Sequence, residues 1–85
     1  MRTGMLGIAA GGHVRHHVHE HSEELFFVVA GSATFTVGEA KIELGPGDIL
    51  VLDPGEHHYI DVHDEPLRIL AVVAPNLDDT VFFEE

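Results

Sequence analysis

The sequence predicts an all-β fold, a small antiparallel barrel or double-sheet jelly roll. Three observations carry that expectation. The apolar runs are short and rich in Val, Ile and Phe; Gly, Pro and acidic clusters cut them at close spacing; and no window sustains a 3.6-residue period. The 85 residues give room for one domain, residues 1–85. A core of that size is marginal unless the sheet closes on itself or a second subunit covers an apolar face. Closure of about eight short strands hides most sheet edges. A homodimer is the accompanying expectation.

In chain order, the first predicted strand is Arg2–Ala10, which stops at Gly11-Gly12. Val14–His19 follows, with Arg15, His17 and His19 alternating onto one face and His16 and Val18 onto the other. Glu24–Ala30 is apolar on both faces: Phe26, Val28 and Ala30 accompany Glu24, and Leu25, Phe27 and Val29 lie opposite. Such a strand needs cover twice, once from the barrel interior and once from a partner sheet or a second subunit. Gly31 turns the chain into Ser32–Val37, and Val37-Gly38-Glu39 turns it into Ala40–Leu44. Gly45-Pro46-Gly47 leads into Asp48–Asp53, Pro54-Gly55-Glu56 into His57–His63, and Asp64-Glu65-Pro66 into Leu67–Ala74. Connections this short are expected to join antiparallel neighbours. The tail, Asn76 to Glu85, contains Val81-Phe82-Phe83 and is too apolar for a merely solvated end. It is expected to cover a barrel opening or a subunit seam.

Charge and composition remove several classes of function. Four Lys and Arg stand against fifteen Asp and Glu, a formal net charge of −11, which repels phosphate backbones and anionic membranes. Neither nucleic acid nor a membrane is an expected partner. Cysteine is absent, so a metal site would have to use imidazole and carboxylate. No apolar run reaches the length of a membrane span and the N-terminus lacks signal-peptide organisation, so a cytoplasmic location is the default.

The chemistry concentrates between Gly11 and Gly31. His17 and His19, at i and i+2 on a strand, point to one face, and Glu24 at the start of the next strand can turn toward them, so three ligands would converge from one hairpin. Five histidines crowd positions 13 to 21, so a His-x-His pair alone says little. The fixed distances from Gly11, Glu24 and Gly31 lift this pair above its neighbours. So does a second segment, Gly47-Asp48, an apolar run and Asp53-Pro54-Gly55-Glu56-His57-His58, where a glycine-tightened turn sends a histidine into the next strand.

The two segments resemble the paired motifs of the cupin superfamily, as in small single-domain bacterial cupins. The first, Gly-x5-His-x-His-x4-Glu-x6-Gly, is met by Gly11, His17, His19, Glu24 and Gly31. The second, Gly-x5-Pro-x-Gly-x2-His-x3-Asn, is met by Gly47, Gly55 and His58, with Asp53 in place of the proline and Val62 in place of the asparagine. The resemblance implies a double-stranded β-helix, the cupin barrel, holding one divalent transition metal (Mn, Fe, Ni, Co, Cu or Zn) on His17, His19, Glu24 and His58. Three imidazoles and a carboxylate suit those ions and leave positions open to water or substrate.

Because Asp53 departs from the motif, His57 is an alternative to His58. His58 is preferred because Gly55 fixes the spacing and its face continues with Ile60 and Val62. Arg15 is the candidate for holding a substrate carboxylate or phosphate beside the metal. Tyr59 alternates away from His58, and Glu20, Glu23, His13, His16, His21 and His63 are assigned to loops and outer surfaces. The implied function is a metalloenzyme acting on a small oxygen-rich organic molecule. Dioxygenase-type chemistry is favoured because no second inward base accompanies the ligands. An isomerase, epimerase or lyase, or a non-catalytic module binding a small ligand or the metal, is the alternative.

Overall fold

The computed structural model describes residues 1–75 and 80–82, and all regular structure among them is β-strand. Nine strands are described: β1 (Arg2–Ile8), β2 (His13–His19), β3 (Glu23–Ala30), β4 (Ala33–Val37), β5 (Ala40–Leu44), β6 (Ile49–Leu52), β7 (His58–Val62), β8 (Leu67–Ala74) and β9 (Thr80–Phe82). They form two antiparallel sheets, a four-stranded one in the order β1-β8-β3-β6 and a five-stranded one in the order β5-β4-β7-β2-β9. This is the expected all-β jelly roll. Several strands are shorter than predicted: β1 stops at Ile8 rather than Ala10, β4 starts at Ala33, β6 lacks Asp48 and Asp53, and β7 lacks His57 and His63. The flanking polar groups belong to turns instead. Asp48 Oδ2, for example, accepts the Gly45 N–H at 2.8 Å.

The short connections mostly do not join neighbours. Among the described strands β4 and β5 are the only consecutive pair that hydrogen-bond, and every other connection carries the chain from one sheet to the other. The sheets of such a sandwich are about 10 Å apart, a gap that two or three extended residues bridge. What the crossing needs is a sharp change of direction. At Gly31, with φ of 80°, a side chain would also be shut out by packing, because an added Cβ would lie 2.3 Å from the Pro66 carbonyl oxygen.

The core fills the space between the sheets. Phe26 and Val28 of β3 and Leu67 and Ile69 of β8 meet Phe35 of β4 and Ile60 and Val62 of β7, all buried, with the Phe26 and Phe35 rings 5.4 Å apart. Burying each such side chain contributes roughly 1.5–3 kcal/mol. The alternation predicted for β3 is seen: Glu24, Phe26 and Val28 are buried, while Leu25, Phe27 and Val29 turn to the outer face. There Leu25 lies between Val72 and Val51, and Phe27 between Leu70 and Ile49. Val29, Ile49 and Val51 remain 43%, 59% and 54% exposed, so the chain's described residues leave this outer apolar face partly open.

β9 has no counterpart in the predicted strands. It adds to the edge of β2, pairing Thr80 with His19 and Phe82 with His17. The rest of the tail, residues 76–79 and 83–85, lies outside the described residues.

Candidate metal centre

Two cross-strand rows face each other at one end of the sandwich. In the five-stranded sheet His17 of β2 stands opposite His58 of β7 on one side and Phe82 of β9 on the other, with ring centroids 4.1 and 5.3 Å away. In the four-stranded sheet Glu24 of β3 shares a row with Leu52 of β6, Val73 of β8 and Arg2 of β1. Residues opposite one another in a ladder share a face, and the burial of Leu52 and Val73 marks this face as the interior. His17, His19, Glu24 and His58 are all buried, and one potential ligand atom from each lies within 4.8 Å of the others. The sequence reading named these four. The expected hairpin, however, is absent: β2 and β3 lie in different sheets, so the histidines and the glutamate approach from opposite sides of the sandwich.

Hydrogen bonding shows what kind of group the cluster accommodates. His17 Nδ1–H donates to the Arg15 carbonyl at 2.6 Å and His58 Nδ1–H to the Glu56 carbonyl at 3.2 Å. A carbonyl can only accept, so both rings carry the proton on Nδ1 and present a lone pair at Nε2. His19 Nδ1 is 3.0 Å from the Thr80 hydroxyl. Glu24 Oε1 lies 3.1 Å from His19 Nε2 and 3.2 Å from His58 Nε2, yet Glu24 Oε1 and His58 Nε2 are buried without a hydrogen-bond partner. Acceptor faces acceptor there, an arrangement that costs free energy unless a cation stands between them. Burial holds the His17 pKa below the ordinary histidine value, against the raising effects of the Arg15 carbonyl and Glu24 and with the lowering effects of His58 and His19. Burial thus keeps the His17 ring a neutral lone-pair donor. Imidazoles whose far N–H is anchored on a carbonyl, together with a carboxylate, form the donor set of a divalent transition ion.

The departures in the second motif leave its turn in place. Gly55, with φ of 84°, donates its N–H to the His19 carbonyl at 2.9 Å, tying the turn to β2. His58, Ile60 and Val62 then face inward, while His57 is exposed with its ring 5.4 Å from that of His16. Tyr59 lies on the same outer side, 5.8 Å from the His16 ring. Glu20, Glu23, His13 and His21 are exposed. His63 does more than decorate the surface: its Nδ1 is 3.0 Å from Ser32 Oγ and its Nε2 2.9 Å from Thr34 Oγ1 and 3.1 Å from Glu43 Oε1, which ties the end of β7 to β4 and β5.

Alternation placed Arg15 with His17, but β2 is irregular between Val14 and His17. Val14 packs against the core and His17 is buried, although strict alternation would send them to opposite faces; the bulge absorbs the change of parity. Arg15 is exposed, with its guanidinium carbon 4.8 Å from the centre of the Phe82 ring. Arg2, Leu6, Val14, Thr80 and Phe82 join His17, His19 and Glu24 in lining a cleft of ≈ 390 Å³. Sequence reasoning missed these five. The apolar tail was the one available signal for Phe82.

The fold is shared with known proteins. Residues 4–73 match the cupin-domain family model, and the chain belongs to that family. It is 31% identical over 71 residues to L-ectoine synthase of Bordetella petrii, covering 82% of this chain and 53% of that protein. The double-stranded β-helix protein of Klebsiella pneumoniae superposes with a TM-score of 0.89 at 26% identity, over 98% of this chain and 74% of that one. The DMSP lyase DddQ of Ruegeria pomeroyi superposes at 0.83 with 29% identity, over 94% of this chain and 41% of that one. The chain thus spans about half the length of the synthase or the lyase.

Proposed function

We propose that this is a single-domain, cytoplasmic cupin metalloprotein that works as a homodimer, holds one divalent transition ion on His17, His19, Glu24 and His58, and acts on a small oxygen-rich organic molecule. The observation that carries the proposal is the buried, partnerless pair of acceptors, Glu24 Oε1 and His58 Nε2, in a cluster whose other members border an open cleft. A bound ion of this class supplies Lewis acidity toward a substrate oxygen and, where it is redox-active, electron transfer with dioxygen. The protein's own part is to fix the imidazoles through the backbone carbonyls of residues 15 and 56 and the Thr80 hydroxyl, to orient the small molecule in the cleft and to limit water around it. Apart from the four ligands, the described residues lining the cleft include no carboxylate or imidazole, which favours dioxygenase-type chemistry over reactions needing a separate base.

A second reading, a lyase, is supported by the likeness to the DMSP lyase over 94% of this chain. Anaerobic purification, metal analysis and oxygen uptake with a panel of polyols and keto acids test both. Uptake tied to substrate loss fits the dioxygenase, and product formation without uptake fits the lyase. A protein without metal and without turnover overturns both readings.

A further inference from the structure

We propose that Arg2 selects the ligand, binding the distal carboxylate of a short dianionic hydroxy- or oxo-acid whose other oxygens face the four-residue cluster. This rests on the reading of the cluster as a metal site for a small molecule, and it adds the charge and class of that molecule. Arg2 and Glu24 flank Val73 in one row of the four-stranded sheet, so the arginine leaves the sheet on the same side as the carboxylate. The two backbones are two strand spacings apart, about 10 Å, which leaves room for a small molecule between guanidinium and cluster. In the next inward row Gly4 stands opposite Ala71, and a Cβ at Gly4 would meet nothing within 4 Å. Small residues thus keep the floor beside Arg2 open. Two concavities, ≈ 240 and ≈ 390 Å³, both have Arg2, Leu6 and Glu24 in their walls.

Charge identifies the class. The chain as a whole, at −11, repels anions. Locally the balance reverses: a divalent ion on neutral imidazoles and one carboxylate keeps a single net positive charge, and Arg2 adds a second. Arg2 is the one permanent cation among the described residues lining the larger cleft. Two positive charges held apart match a ligand with two negative charges held apart, and a guanidinium accepts a carboxylate in a bidentate fork. Arg15, over the Phe82 ring, is not among the residues lining that cleft.

Calorimetric titration of the zinc-loaded full chain with malate and with 2-hydroxybutyrate tests the proposal, since the second acid keeps the hydroxy-acid end and replaces the distal carboxylate by a methyl group. The parent and Arg15→Gln should bind malate at least about tenfold more tightly than 2-hydroxybutyrate. Arg2→Gln should bring the two affinities together with zinc content and melting temperature unchanged. An undiminished malate preference in Arg2→Gln overturns the role of Arg2 alone, as does loss of the preference only in Arg15→Gln. Failure of both acids to bind zinc-loaded parent protein overturns the small-molecule reading as well, and failure to retain zinc overturns the metal site beneath it.

Discussion

Glu24 of the four-stranded sheet reaches across the sandwich to His58 of the five-stranded sheet, with Oε1 and Nε2 3.2 Å apart and neither hydrogen-bonded. The contact joins the two sheets through atoms that repel each other until a cation separates them. Ion binding should therefore appear as resistance to unfolding, by about 2.7 kcal/mol when free metal is a hundredfold above its Kd. Chelator should lower the melting temperature of the parent, while His17→Ala and His58→Ala should lose both the metal and the chelator response. His21→Ala, His57→Ala and His63→Ala should keep them. Metal analysis paired with thermal melts checks this, and loss of metal in His57→Ala but not in His58→Ala would show that the turn had slipped.

Thr80 fixes the ring of His19 through its hydroxyl, 3.0 Å from Nδ1. Thr80→Val keeps the shape and removes that anchor, so metal affinity should fall about 10–100-fold. Thr80→Ser should stay near the parent value. Competition with a fluorescent chelator gives the affinities.

Metal-free stability should depend on pH through His17, whose pKa burial holds below the ordinary value. In the unfolded chain this group takes up a proton as pH falls through about 6.5, while in the folded chain it stays neutral to lower pH. The unfolded state then binds more protons, so stability is lost as pH drops below about 7 and the loss levels off below the folded pKa. Above that window His17 contributes no pH dependence. Urea midpoints of metal-free protein should decline from pH 7.5 to pH 5.5, and less steeply in His17→Gln.

Gly31→Ala meets both a left-handed φ of 80° and a carbonyl oxygen 2.3 Å from the new Cβ, so it should cost about 2–4 kcal/mol. Gly11→Ala meets only the conformational strain at φ of 72°, with nothing within 4 Å of the added carbon, and should cost about 1 kcal/mol. Equal urea midpoints for the two variants would remove the packing argument.

The outer face around Leu25 and Phe27 should be the homodimer seam. Sedimentation should give twice the chain mass for the parent. Combining Ile49→Lys with Val51→Asp, at positions 59% and 54% exposed, should give a folded monomer. A monomeric parent would mean that the face tolerates water.

The inward and outward sets of β3 were legible because strict alternation holds from Glu24 to Val28 and one register runs through both of its neighbours. His58 was legible because Gly55, at φ of 84°, marks the turn locally and the alternation from His58 through Ile60 to Val62 continues one inward face. Three features were not. Whether a short turn makes a hairpin or crosses between sheets depends on which strands share a core, so the separation of β2 from β3 has no local signature. β9 is three residues long and preceded by Asn76-Leu77-Asp78-Asp79, too brief for a periodic signal. Arg2 belongs to the site only because β8 lies between β1 and β3, a neighbourhood set by residues far along the chain.

The irregularity in β2 works as an expansion joint. Upstream of it Val14 keeps step with Ile60, and downstream His17 keeps step with His58 and Phe82. A change of side chain at Arg15 or His16 falls on the joint and leaves in place the Arg15 carbonyl that holds the His17 ring. Evolution, or an engineer, can therefore alter the strand's outer decoration as one cassette while the ligand half of β2 stays in register as another.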